Sequence, residues 1–77
     1  MNSDDIRILI ENSIEDSVAL ISSDDNVHFD AIVISDAFNE KSLIERHQLV
    51  YECLGKRMNS EIHALTIKAL TPEENSQ

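Results

Sequence analysis

His28, His47, His63 and Cys53 are the imidazole and thiol side chains of this 77-residue sequence, and so its candidates for binding a transition metal. They are too scattered for a structural zinc site, which draws four ligands from closely spaced pairs. Cys53 has no evident base beside it, so nothing marks it as a nucleophile. As the only cysteine it cannot close an intramolecular disulfide, which points to a reducing compartment. Asp24 and Asp25 could pair as general acid and base, but within the polar run "SDDN" they read as solvated turn formers. With one glycine, Gly55, the chain cannot build a glycine-rich phosphate loop. No enzymatic constellation stands out among these residues.

Charge narrows the partners. The formal net charge is -9, and residues 1–40 carry ten acids against Arg7 alone. The basic segment is the middle of the chain, where Lys41, Arg46, Lys56 and Arg57 outnumber Glu45 and Glu52. Nucleic-acid affinity comes largely from cations facing phosphates, so six Lys and Arg in total argue against unaided binding. No apolar run approaches the length of a membrane span, and Met1 is followed by the polar "NSDD". A cytoplasmic protein is expected.

These side chains need elements to position them. Ser3 before Asp4 and Asp5 reads as an N-cap, and Ile6, Leu9 and Ile10 then share a helical face, which predicts a first helix of about ten residues. Ile8 falls on the opposite side, so either the helix is covered twice or Ile8 is exposed. "SVALIS" and "HFDAIVIS" predict two antiparallel strands around a turn, with Phe29, Ala31 and Val33 on one face and His28, Asp30, Ile32 and Ile34 on the other. "SLIE", from Ser42 to Glu45, has the spacing of a capping box and starts the second helix. Leu43, Ile44, His47, Val50, Tyr51, Leu54 and Met58 form its apolar stripe, with His47 as a core residue, Arg46 and Arg57 at the borders, and Leu49, Cys53 and Lys56 outward. A third strand is expected over about Ile62 to Ala69. "TPEE" starts a last helix that "NSQ" cuts short, with residues 73–77 fraying.

A strand, a helix and a strand form a crossover that sets the two strands parallel. The expected architecture is one small α+β domain over 1–77, in the order α-β-β-α-β, with a mixed three-stranded sheet covered by helices on one face.

"HFDAIVISDAFNEKSLIERHQLVYECLGKRMNSEIHALTIKALTPEE", residues 28–74, resembles the BolA family. The likeness rests on an HF-type strand, an S-x-x-F turn, a helix carrying R-H-x-x-V-Y, and a strand opening I-H-A-L and running into T-P-E-E. The short turn before His28 most resembles the YrbA-like branch. The resemblance implies a class II KH-like fold and partnership with a monothiol glutaredoxin, either as a heterodimer without a cluster or sharing a [2Fe-2S] cluster in iron-sulfur trafficking or iron regulation. Some members are described as DNA-binding transcriptional regulators, which is the alternative. The histidine of I-H-A-L is a cluster ligand, and this carries over to His63.

The family's second ligand comes from the hairpin loop, which here reads "SSDDNV" without cysteine or histidine. His28, Asp24 and Asp25 are the candidates, and His28 is preferred. The segment "FNEK" lacks the family's usual glycine, and Asn75 replaces its usual tryptophan. A [2Fe-2S] centre takes four ligands, usually thiolates, so a chain with one thiol must share it. A glutaredoxin cysteine and glutathione would bring the sulfur. Arg46, Leu49 and Lys56 are the candidate partner contacts.

Overall fold

The computed structural model describes residues 1–60, 62 and 64–77, with Asn59 and Ser60 described through their backbone alone. Helix α1 (Ser3–Ser13) is capped one residue earlier than expected, by Asn2. The side chain of Asn2 accepts from the Asp5 N–H at 3.0 Å, and the Asp5 carboxylate accepts from the Asn2 N–H at 3.0 Å. Asn2 wins over Ser3 because only Asn2 stands three residues before an acid that can reach back to it. Ile6 and Ile10 are fully buried while Ile8 is 46% exposed, so the helix is covered on one side only.

Strands β1 (Val18–Ser22) and β2 (His28–Ile34) form an antiparallel hairpin in which Leu20 pairs with Ile32 and Ser22 with Asp30. A 3-10 turn over Asp36–Phe38 follows and seats the fully buried Phe38. Helix α2 (Leu43–Leu54) begins at the expected capping box of Ser42 and Glu45. It stops at Gly55, whose φ of +54° suits glycine, and a short α3 (Arg57–Ser60) intervenes, so the helix does not run on to Met58. Strand β3 (Ala64–Leu70) lies parallel to β2, with Phe29 beside Leu65 and Val33 beside Ala69. The sheet order is β1-β2-β3, the mixed sheet expected.

Alternation along the strands decides which face is covered. Ala19, Phe29, Ala31, Val33 and Ala69 are buried with Ile6, Ile10, Val50 and Leu54 of the helices, while Val18, Leu20 and Ile32 stay exposed on the opposite face. At the β1 edge, the Ala19 N–H donates to the Glu11 carboxylate at 3.0 Å, and Arg7 holds that carboxylate at 2.9 Å, so a side chain occupies a position that another strand could pair with. Helix α4 (Pro72–Asn75) is capped by a capping box between Thr71 and Glu74. Among the described residues, no helix is long and apolar enough to cross a membrane.

Helix α2 is rotated from its expected seating. Leu43 and Ile44, at 68% and 70% exposure, and Tyr51 face outward, and His47 is half-buried rather than central to the core. Arg46, Val50 and Leu54 point inward, and Leu49 and Cys53, expected outward, are half-buried against the core. The long stem of Arg46 is apolar enough to line the interior while its head finds acceptors there, which the apolar-stripe rule does not anticipate.

The one-sided seating of α1 makes a contrast testable. Ile6→Val should lower the unfolding free energy by about 0.5–1.5 kcal/mol, and Ile8→Val should change it by less than about 0.5 kcal/mol. Equal shifts of the two urea midpoints would contradict this orientation.

Candidate functional site

The turn between β1 and β2 is short and polar, and its side chains do the work of closing it. Asn26 takes a left-handed φ of +58°, a conformation asparagine tolerates. The Ser23 hydroxyl donates to the His28 carbonyl at 2.6 Å and accepts from the Asn26 N–H at 2.9 Å. One oxygen of Asp25, Oδ1, accepts from the backbone N–H groups of Val27 and His28, each at 2.9 Å. The other, Oδ2, lies 2.9 Å from Nδ1 of the His28 ring. Hydrogen bonds from the His28 backbone, the His28 ring and the Val27 backbone, in that order of effect, hold the Asp25 carboxyl well below the usual carboxylate range.

The result is a shallow cleft lined by Ser22, Ser23, Asp24, Asp25, His28 and Asp30, with the His28 side chain 69% exposed beside it. Asp25, weighed as an oxygen ligand, is occupied on both oxygens by its own turn. His63, the principal ligand candidate, lies outside the described residues. Its sequence neighbour Ala64 is the strand partner of His28, so β3 begins beside the hairpin end that carries His28.

Cys53 sits apart from this site. Its thiol donates to the Leu49 carbonyl at 3.2 Å, and burial pushes its pKa up, so it remains a protonated, half-buried thiol rather than a thiolate donor. Among the described residues, no three His, Cys, Asp or Glu side chains converge to hold a metal ion. Those residues therefore offer a metal centre one exposed imidazole and no thiolate.

The partner contacts expected on α2 divide. Lys56 is exposed, just past the end of the helix. Leu49 is withdrawn into the core margin, and Arg46 is 8% exposed with its guanidinium engaged inside the fold, so neither presents the outward contact expected of it. Arg46 donates through Nε to the Lys41 carbonyl at 3.1 Å and through Nη1 to the Ala69 carbonyl at 3.0 Å. Nη1 and Nη2 also grip the Glu74 carboxylate, at 2.6 and 3.3 Å. The Arg46 guanidinium, and after it the Thr71 N–H, pull the Glu74 pKa down to about 2. This latch was missed in the sequence; Glu74 read only as an acid at the start of a short last helix, and no local signal joins it to Arg46, 28 residues away.

A small α+β domain thus presents an oriented imidazole at one end of its sheet and keeps its thiol packed away. Its relatives are consistent with that architecture. The BolA family model, described as BolA-like protein, matches residues 7–74, and the chain belongs to this family. The chain is 47% identical over 51 residues to SufE-like protein 1, chloroplastic/mitochondrial, of Arabidopsis thaliana, covering 66% of this chain and 14% of that protein. It is 38% identical over 47 residues to the DNA-binding transcriptional regulator BolA of Haemophilus influenzae, covering 61% and 46% of the two. The chain therefore spans less than half the length of either relative. The structure of a bolA protein homologue from Coxiella burnetii superposes with a TM-score of 0.89 at 36% identity, covering 100% of this chain and 99% of that one.

The Arg46 latch generates a pH prediction. Glu74 is depressed from its ordinary value of 4.5 to about 2, so its contribution to stability is full above pH 4.5 and is lost as pH falls toward 2. Acid unfolding of Glu74→Gln followed by circular dichroism should show a shallower loss over that interval. An acid profile with the wild-type slope would mean that the ion pair does not form in solution.

Proposed function

We propose that this chain is a non-enzymatic partner of a monothiol glutaredoxin, with which it receives or relays a shared [2Fe-2S] cluster in a reducing, cytoplasmic setting. The observation that carries the reading is the donor set. The single thiol is half-buried, protonated and bonded to Leu49, while His28 stands exposed at the hairpin end from which the family draws its second ligand. In this reading His63 and His28 are the ligands from this chain, and the partner's cysteine and a glutathione thiol supply the sulfur. Membership in the BolA-like family and the likeness to a SufE-like protein support a role in iron-sulfur handling.

Two imidazoles on one iron raise the reduction potential relative to four thiolates and make ligation sensitive to protons, which suits transfer better than storage. The cluster is cargo, and the work of this chain is to present nitrogen donors on a rigid sheet end and to dock the partner. The exposed Leu43, Ile44 and Tyr51 of α2 are available for that docking, with the exposed Lys56 beside the end of the helix.

The likeness to the Haemophilus influenzae regulator favours a second reading, in which the chain binds DNA. The net charge of -9 weighs against it. A gel shift over a salt series discriminates, since phosphate contacts must weaken as salt rises.

The test of the first reading is an anaerobic titration into cluster-loaded monothiol glutaredoxin with glutathione, followed by visible circular dichroism. The wild type should produce a new spectrum that His63→Ala abolishes and His28→Ala weakens, and acidification should release the cluster. No spectral change with the wild type would overturn the reading. Cys53→Ser should leave the spectrum of the complex unchanged; a loss would place the thiol among the ligands.

A further inference from the structure

An imidazole binds a metal through a nitrogen that carries a lone pair, and in a neutral ring only one of the two nitrogens does. We propose that Asp25 is a positioning residue that holds the His28 proton on Nδ1 and so leaves Nε2 as the ligating nitrogen. Its use as a cluster ligand rests on the proposed function, whereas the tautomer is a property of the free chain.

The geometry carries the argument. An ionised carboxylate only accepts hydrogen bonds, so the 2.9 Å contact between Asp25 Oδ2 and His28 Nδ1 requires Nδ1 to donate. Asp25 cannot swing away cheaply, because its Oδ1 is held by the N–H groups of Val27 and His28, both at 2.9 Å. The turn beneath it is closed in addition by Ser23, through the His28 carbonyl and the Asn26 N–H. The ring is thus tied to the same backbone that begins β2, and its position is set by the sheet. Histidine ligands of metals commonly donate their second nitrogen to a carboxylate, which fixes ring orientation and raises ligand basicity. Here the carboxylate lies three residues before the histidine, a D-x-x-H spacing within one turn.

The arrangement predicts what a near-isosteric change does. In Asp25→Asn, the two backbone N–H donors keep the amide oxygen at the Oδ1 position, which turns the amide nitrogen toward His28. That nitrogen donates, so Nδ1 becomes the acceptor and the ring proton moves to Nε2. The lone pair then points into the turn instead of outward.

The experiment is a long-range proton-nitrogen correlation of the histidine rings in the ¹⁵N-labelled free chain, above the pH at which the rings are protonated. The wild type should show His28 protonated at Nδ1 and bare at Nε2, and Asp25→Asn should exchange the two signals while those of His47 stay in place. A wild-type His28 protonated at Nε2, or an Asp25→Asn spectrum that matches the wild type, overturns the proposal. The wild-type measurement decides even if the variant turn fails to close. In the glutaredoxin titration, Asp25→Asn should weaken cluster binding about 10- to 100-fold. A reversed tautomer with undiminished cluster binding would uphold the positioning of His28 and remove His28 from the ligands.

Discussion

A single guanidinium joins four separate parts of this domain. Arg46 reaches from α2 to the carbonyl of Lys41 before the helix, to the carbonyl of Ala69 in β3, and to the Glu74 carboxylate of α4, with its guanidinium carbon 5.9 Å from the centre of the Phe38 ring. Bringing a cation inside a protein is costly unless its donors are satisfied, and here Nε, Nη1 and Nη2 all have acceptors. The same Glu74 oxygen that meets Nη1 also accepts from the Thr71 N–H at 2.8 Å. The cap of a four-residue helix and the seating of a twelve-residue one therefore share an anchor. For a domain with so small a core, this connection helps make the end of the chain part of the fold.

The covered face of the sheet leaves the opposite face and the hairpin end exposed to partners. The helices bury Phe29, Ala31 and Val33, and strand alternation then forces His28, Asp30 and Ile32 outward. His28 is exposed because its neighbour Phe29 is buried. The parallel pairing of β3 brings Ala64 beside His28, so two distant parts of the chain meet at one end of the sheet. The His28 side chain placed there starts from the hydrogen-bonded strand that carries it.

Local rules read well where one residue type has one strong preference. Alternation in "HFDAIVIS" predicts the buried face of β2 residue by residue, and the Ser42 and Glu45 spacing marks the start of α2. They fail where a side chain combines two characters. Arg46 was placed at the helix border by its angular position beside the apolar stripe, yet its stem and its carbonyl partners carry it inside, and α2 turns so that Leu43 and Ile44 face outward. Asp25 was legible as a turn former from its residue type and unreadable as the partner of the His28 ring, since that contact depends on how tightly the turn closes.

The family came from the resemblance of motifs in residues 28–74, whereas from composition and spacing alone came the element order, the mixed sheet and the presence of a single thiol. Those follow from periodicity, capping and counting, which act over a few residues at a time. The rotation of α2, the Arg46 latch and the orientation of the His28 ring came from the folded chain. Each depends on which acceptor or neighbour happens to lie within about 3 Å, and such proximity is set by packing.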